Sequence, residues 1–237
     1  MAARPLLLAW SGGKDAAWTL HVLRQRADVE VVGLLSTVGT DDGRSTMQGV
    51  ATSVLRAQAR AAGLPLLEVA VPPGSGNALY LERLRAGLAQ AAARWPGLDR
   101  LAFGDLHLAD LRAWREAELV RLGWRIETPL FGRDTGELAQ EMLRGGLRAR
   151  LCCVDTSRLD GGFAGEPFDA GLLARLPATV DACGEHGEFH TCVHAGPMFS
   201  APLALARGAT WLRDGRFAVT DFAPRARAED RAQAAGH

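Results

Sequence analysis

Hydrophobic and polar residues follow one another along the first half of the chain in a pattern that predicts strands alternating with helices. An uncharged apolar run at residues 6–9 is typical of a strand that is buried on both faces. A glycine turn follows it, and then residues 15–23 carry apolar side chains at helical spacing. The alternation continues: we predict strands at 29–37, 66–71 and 100–103, and helices at 47–62, 77–95 and 108–122.

This rhythm predicts an α/β fold with a parallel sheet and helices on both of its faces. Ligands of such sheets bind beyond the carboxyl ends of the strands. The residues that leave the predicted strands are therefore candidates for a binding site: Ser11, Thr37, Gly104 and Asp105.

The pattern changes beyond Thr128. An Asp-x-x-Glu capping box predicts a helix at 134–144, which is followed by an alternating strand at 147–154 and a short helix at 169–176. The tail from Pro224 is rich in arginine, alanine and acidic residues, so we expect it to be disordered or a frayed helix. The predicted organisation is a first domain at 1–128, a smaller C-terminal α/β domain at 129–223 and a tail at 224–237.

Composition limits the class of protein. The 237 residues are 48% hydrophobic and carry no net charge, which argues against a general nucleic-acid or anionic-membrane surface. No apolar run is long enough for a membrane span, and no signal-like leader is apparent, so we expect a cytoplasmic protein. Four cysteines are too few for a disulfide framework in a chain of this size.

The glycine turn after the first strand is a candidate phosphate site. Backbone N–H groups and the helix dipole converge there, and glycines let an anion come close to the backbone. Ser11 adds a hydroxyl, Gly12 and Gly13 form the turn, and Lys14 is the only lysine among 27 basic residues. A compact ammonium suits a phosphate. The alternative is an ordinary helix start with a solvated lysine.

Acidic residues follow the fourth predicted strand. Asp105 lies at the strand exit and Asp110 lies further along the next helix. Either carboxylate could hold a Mg²⁺ ion that bridges phosphate oxygens. The alternative is that Asp105 caps the helix and Asp110 lies on the surface.

The stretch 183–194 is the second unusual segment, and three interpretations remain open. It could be a zinc site, although the ligand spacing is weak. It could be a structural turn and strand. It could also be a carboxylate-bearing loop in which Glu185 and Glu188 do acid–base work or bind an amine. The zinc interpretation would draw on Cys183, His190, Cys192 and His194.

Two segments resemble known signatures. Residues 11–15, Ser-Gly-Gly-Lys-Asp, resemble the signature of the PP-loop ATP pyrophosphatases, with Ala16 where a serine is usual. Residues 183–191, Cys-Gly-Glu-His-Gly-Glu-Phe-His-Thr, resemble the motif of the diphthine–ammonia ligase family, the ATP-binding domain 4 proteins. The stretches 103–112, 129–135, 153–155 and 196–199 are similar to further family blocks. His186 and Gln48 depart from the family pattern, which has asparagine and histidine there.

The resemblance implies a Rossmann-like sheet of the HUP class and an ATP-dependent ligase. A substrate carboxylate would attack the α-phosphorus of ATP, pyrophosphate would leave, and ammonia would displace AMP to give an amide. The implied partners are ATP, Mg²⁺, ammonia and a protein-borne or small-molecule carboxylate; homodimerisation is left open. The implied catalytic residues are Lys14, Glu185 and Glu188. The implied nucleotide-binding residues are Ser11, Gly12, Gly13, Lys14, Asp15, Thr37, Met47, Gly104 and Asp105, and the implied metal ligands are Asp15, Asp105 and Asp110.

Two other functions stay open. A PP-loop tRNA-modifying enzyme would want a Cys-x-x-Cys pair or a basic face, and the chain shows neither. A nucleotide sensor that binds ATP or AMP without turnover is favoured by the alanine at position 16. On the ligase hypothesis, Lys14→Ala is expected to abolish pyrophosphate release and leave the fold intact.

Overall fold

The computed structural model describes residues 3–46 and 48–225. The prediction for Met47 and most of the predicted tail, from residue 226 onward, therefore lie outside the described residues. In the described part of the chain, no helix combines the length and the apolar character that crossing a bilayer requires.

Strands and helices alternate through the first half, as the hydrophobic pattern predicts. Their bounds are β1 Arg4–Ala9, α1 Lys14–Arg24, β2 Val29–Gly39, α2 Thr52–Ala62, β3 Leu66–Val71, α3 Asn77–Arg94, β4 Arg100–Ala102, α4 Ala109–Arg121 and β5 Arg125–Glu127. The second half adds α5 Thr135–Arg144, β6 Arg148–Asp155, β7 Pro167–Phe168, α6 Ala170–Arg175, β8 Phe189–Ala195, β9 Leu205–Arg213 and β10 Phe217–Pro224, with a 3₁₀ turn at Gly161–Phe163.

The first sheet is parallel and has the strand order β3-β2-β1-β4-β5. β1 lies at its centre because its leucines, Leu6, Leu7 and Leu8, can all be fully buried between the helical layers. The chain order reverses on either side of β1, so a crevice opens beyond its carboxyl end, where α1 begins. The predicted Rossmann-like α/β fold is confirmed.

The second sheet is antiparallel, with the order β7-β6-β10-β9 and with β8 also paired to β6. One hydrophobic core joins it to the first sheet, since Leu8 and Leu20 from the first half pack in the same cluster as Leu151 and Phe189. This shared core fixes β8 against the start of α1.

The structure also differs from the sequence-based prediction. The helix expected from residue 47 begins only at Thr52, because Ser45 bridges to Val38 and Ala51 bridges to Arg44 instead. The short strand β5 and the hairpin β9–β10 were not predicted. The capping box is confirmed: the Asp134 side chain accepts a hydrogen bond from the Glu137 amide at 2.8 Å. Pro224, expected in the tail, ends β10.

Candidate functional site

Protein side chains lie directly against the glycine turn between β1 and α1. Gly12 has a φ of +83°, and a Cβ on it would lie 2.8 Å from Leu55 of α2. A Cβ on Gly13 would lie 2.2 Å from the Gln48 side-chain oxygen. The two glycines therefore make room for protein side chains. That they also open the backbone to a phosphate stays a prediction.

Hydrogen bonds from the Gln58 side chain of α2 hold this turn in place. Its buried amide donates to the Gly12 carbonyl at 3.0 Å and to the Val193 carbonyl at 2.7 Å, and it accepts a hydrogen bond from Trp10 at 2.9 Å. The Val193 amide in turn donates to the Gly12 carbonyl at 3.0 Å. The turn is thereby fixed to β8 of the second sheet, and every polar atom of the Gln58 side chain has a partner in the protein.

The N-terminus of α1 faces the crevice beyond β1. The first intrahelical hydrogen bond runs from Ala17 to Gly13, so three earlier amides need other partners. The Lys14 amide donates to the Thr191 hydroxyl at 3.0 Å. The amides of Asp15 and Ala16 belong to residues that line the crevice. They are the N–H groups that an anion could use.

Gly104, at the exit of β4, packs closely against the backbone at the start of α1. A Cβ there would lie 2.8 Å from the Asp15 backbone carbon and 2.9 Å from the Ala16 nitrogen. Glycine is required because backbone, which cannot move aside, occupies that space. Gly104 thus sets the distance between the β4 exit and the helix N-terminus.

The Lys14 side chain points across to the second sheet. It is 2% exposed, its ammonium lies 2.9 Å from both carboxylate oxygens of Asp15, and it donates to the Cys183 carbonyl. Burial opposes its charge, but Asp15, Cys183 and Glu185 together outweigh that penalty and raise the pKa of Lys14. Lys14 is therefore an internal link between the two sheets in this structure, in addition to lining the crevice.

The segment 181–188 forms the turn whose Cys183 carbonyl accepts the hydrogen bond from Lys14. Asp181 accepts from the amides of Cys183 at 2.8 Å and Glu185 at 3.1 Å. Glu188, 1% exposed, accepts from the amides of Asp181 at 3.1 Å and His186 at 3.0 Å. These two carboxylates hold the turn together from inside. The expectation that Glu188 does acid–base work is corrected, because both of its oxygens bond the turn's own backbone and it does not line the crevice.

Glu185 differs from Glu188 because it faces the crevice. Its carboxylate lines the crevice and accepts from the amides of His107 at 2.8 Å and Leu106 at 3.2 Å. Burial raises the pKa of Glu185 above its usual range, with Asp15 adding to the effect and the two amides opposing it. A carboxylate with a raised pKa at the edge of a crevice is suited to accept a proton.

Asp105 lines the crevice as predicted but is already paired. It accepts from Arg115 of α4 at 2.5 Å, and the guanidinium of Arg115 lies 4.4 Å from the centre of the Phe103 ring. Asp110 is exposed on α4 and does not reach the crevice. Within residues 3–46 and 48–225, no three His, Cys, Asp or Glu side chains are grouped so as to hold a metal ion. Neither the three-aspartate set nor the zinc interpretation gains support from the described residues.

The crevice is a single cavity of about 620 Å³. Of the predicted residues it is lined by Ser11, Lys14, Asp15, Thr37, Gly104, Asp105 and Glu185. Polar or charged lining residues that sequence reasoning did not name include Tyr80, Arg115 and Arg158, whereas it named Gln48 as a departure from the family pattern and His190 as a possible zinc ligand. Tyr80 is the only tyrosine of the chain, so its rarity could have marked it as a candidate, as rarity marked Lys14. The arginines carry no such signal, because arginine is common throughout the sequence.

The four cysteines are buried and reduced. Burial raises the pKa of the thiols of Cys183 and Cys192, each to about 12. Thiols in this state are poor nucleophiles at neutral pH.

The parallel sheet ordered around β1, with a glycine turn and a helix N-terminus at its carboxyl edge, defines an α/β protein with the nucleotide-binding fold of the PP-loop proteins. A family model described as the diphthamide synthase N-terminal domain matches residues 5–126, just over half of the chain, and the chain belongs to this family. The predicted family is thus confirmed. No curated protein matches the chain. The match ends before the turn at 181–188, so Glu185 and the second sheet lie outside it.

Proposed function

We propose that this protein is an ATP-dependent amide ligase. In this reaction a substrate carboxylate attacks the α-phosphorus of ATP and releases pyrophosphate. Ammonia then attacks the acyl carbon of the acyl-adenylate, which yields an amide, AMP and a proton. The family membership supports a role in diphthamide synthesis, and the amidation step itself is our proposal.

One observation carries the proposal: a 620 Å³ cavity has a helix N-terminus on one wall and a carboxylate with a raised pKa on another. The amides of Asp15 and Ala16, with the Ser11 hydroxyl, would stabilise negative charge that moves onto the leaving pyrophosphate. Glu185 would take a proton from the ammonium-derived nucleophile. Thr37 and Tyr80 would lie against the nucleoside part. We place the nucleotide in the first sheet's half of the cavity and the acyl group in the other half.

In the proposed ligase, Asp15 would bind the Mg²⁺ ion. That carboxylate faces the cavity and is 20% exposed, whereas Asp105 is occupied by Arg115 and Asp110 lies outside. Mg²⁺ in nucleotide sites commonly takes one or two carboxylates and completes its shell with phosphate and water. The bound ion would supply neutralisation of the polyphosphate charge. Of the three predicted metal ligands, Asp15 is the one whose carboxylate faces the cavity with only Lys14 as its paired side chain.

The test separates the two half-reactions. Purified protein with Mg²⁺, ATP and a panel of carboxylates should catalyse exchange of labelled pyrophosphate into ATP, and added ammonium should yield AMP and an amide. Glu185→Gln should keep the exchange and lose about 100-fold in ammonium-dependent amide formation. Glu116→Gln, at an exposed position of α4 that does not line the cavity, is the matched control and should keep both. A Glu185→Gln variant with unchanged amide formation would contradict the role of Glu185.

A nucleotide sensor is the second candidate, and the Lys14 contacts favour it. The ammonium that the ligase would use at the phosphates already binds Asp15 and the Cys183 carbonyl, and Ala16 offers no hydroxyl. Bound ATP recovered intact after incubation with every carboxylate, with and without ammonium, would support the sensor. Turnover that requires tRNA would point instead to the modifying enzyme.

A further inference from the structure

The side chain of Gln48 lies directly over the N-terminus of α1. Gly13 is the N-cap residue of this helix, and a Cβ on Gly13 would lie 2.2 Å from the Oε1 atom and 2.6 Å from the Nε2 atom of Gln48. The carboxamide group therefore covers the Gly13 backbone closely. Gln48 also lines the cavity, together with Ser11 and Lys14 of the same turn. One carboxamide thus borders both the glycine turn and the space in which a ligand can lie.

The carboxamide of Gln48 has no polar partner in the described part of the chain. Its Oε1 atom is buried there without a hydrogen bond. The hydrogen bond that Gln48 makes to another described residue uses its backbone carbonyl, which accepts from the Cys152 thiol at 3.6 Å. Gln58, against the same turn, instead bonds three groups with its side chain. Burying a carboxamide without partners costs free energy, so its position at the cavity points to a ligand that supplies them.

The ammonium group next to Gln48 already uses its donors within the protein. An ammonium has three N–H donors, and the acceptors around Lys14 are the two carboxylate oxygens of Asp15 and the Cys183 carbonyl. Gln48 adds two N–H donors that carry no full charge. They lie beside a helix N-terminus, where the backbone amides and the helix dipole favour an anion. Donors in this place suit an acceptor with negative charge, such as a phosphate oxygen.

We propose that Gln48 binds a phosphate group of the nucleotide by donating an N–H hydrogen bond across the glycine turn. This inference rests on the proposed function and adds one residue to its nucleotide site. Gln48 stands where the family pattern has a histidine. A carboxamide keeps its N–H donors at every working pH, whereas an imidazole gains and loses a proton near pH 6.5. The substitution therefore gives the phosphate a permanent neutral donor.

The test measures by calorimetry, with Mg²⁺ present, the affinity for α,β-methylene-ATP, which the proposed reaction cannot cleave. Gln48→Met has nearly the same shape but no donor, and it should bind the analogue about tenfold more weakly than the wild type. Gln48→Glu replaces the donors by a negative charge and should weaken binding by about a further tenfold. Gln90→Met, at an exposed position of α3 that does not line the cavity, is the matched control and should bind as the wild type does. Urea denaturation should give Gln48→Met the stability of the wild type, because no described residue loses a hydrogen bond.

The outcomes separate this inference from the ligase proposal. Wild-type affinity in Gln48→Met overturns the inference and leaves the ligase standing. Equal weakening in Gln48→Met and Gln48→Glu also overturns it, because a phosphate contact responds to charge, and so does a loss of stability in Gln48→Met, which would assign the carboxamide to the fold. No measurable binding of the analogue by the wild type overturns both proposals. Binding that depends on Gln48 in a protein without pyrophosphate exchange keeps the inference and removes the ligase.

Discussion

Two turns face each other across the cavity, and they use buried charge in different ways. The turn at 11–15 contains Lys14, and the turn at 181–188 contains Glu188; both side chains are at most 2% exposed. Glu188 bonds the backbone of its own turn, so the second turn supports itself. Lys14 reaches out of its turn to the Cys183 carbonyl, so the first turn depends on the second. A buried charge can thus build a loop or join two loops, and the sequence alone does not distinguish these uses.

The largest expected effect comes from cutting the link between the turns. Lys14→Met leaves Asp15 without its partner, and we expect a loss of about 3 kcal/mol in the free energy of unfolding, measured by urea denaturation. The earlier expectation that a Lys14 variant leaves the fold intact is therefore revised. The double variant Lys14→Met/Asp15→Asn removes both charges and should recover most of the loss. Equal stability of the single and double variants would show that the pair is not what joins the turns.

The second turn is tested through its internal carboxylate. Glu188→Gln replaces one acceptor oxygen by an NH₂ group that faces a backbone amide, and it should cost about 2 kcal/mol in unfolding free energy. Glu185→Gln, in the same turn but at the cavity, is the matched control and should cost under about 1 kcal/mol. A larger loss for Glu185→Gln than for Glu188→Gln would reverse the distinction between the two glutamates.

The dependence on pH sharpens the comparison, because His190 lies in the strand after the second turn and is affected by Lys14 of the first. Its pKa is lowered to about 4, chiefly by burial and then by Lys14 and Arg213, so the unfolded chain binds more protons between pH 4 and the ordinary value of 6.5. The stability that this contributes is complete above pH 6.5 and is lost as the pH falls toward 4. His190→Gln should flatten the fall by about 1–2 kcal/mol across that range, measured by urea denaturation at several pH values.

The control is His107→Gln, which removes an exposed histidine that does not line the cavity and should leave the slope as it is. Lys14→Met should raise the pKa of His190 toward its ordinary value, which NMR titration of the ring measures. A wild-type slope in His190→Gln would exclude this histidine as the group responsible.

The two turns also show how far sequence reasoning reaches. The strand-turn-helix pattern located Ser11–Asp15, and the alternation of elements predicted the parallel sheet, because local periodicity carries both signals. The pattern did not show that Gln48 and Leu55 cover the glycines, since that depends on where α2 and the segment before it pack. Nor did it separate Glu185 from Glu188, three residues apart, because the turn that points one outward and the other inward is held by Asp181. The ion pair between Arg216 and Asp155, close to Arg158, could not be predicted, because Arg216 lies in the hairpin β9–β10 that the pattern did not show.

The smallest expected effect is that of substituting Ala16, the position at which the PP-loop signature has a serine. Ala16 lines the cavity in the first turn of α1. Ala16→Ser restores the hydroxyl that the PP-loop signature has there, and one added hydrogen bond should tighten ATP binding about threefold to tenfold. Isothermal titration with ATP measures the change, and Ala17→Ser, buried one residue further on, is the control expected to bring no gain. Equal affinity in the wild type and Ala16→Ser would mean that the phosphates do not approach this turn of the helix, and the first turn would then serve only to join the two sheets.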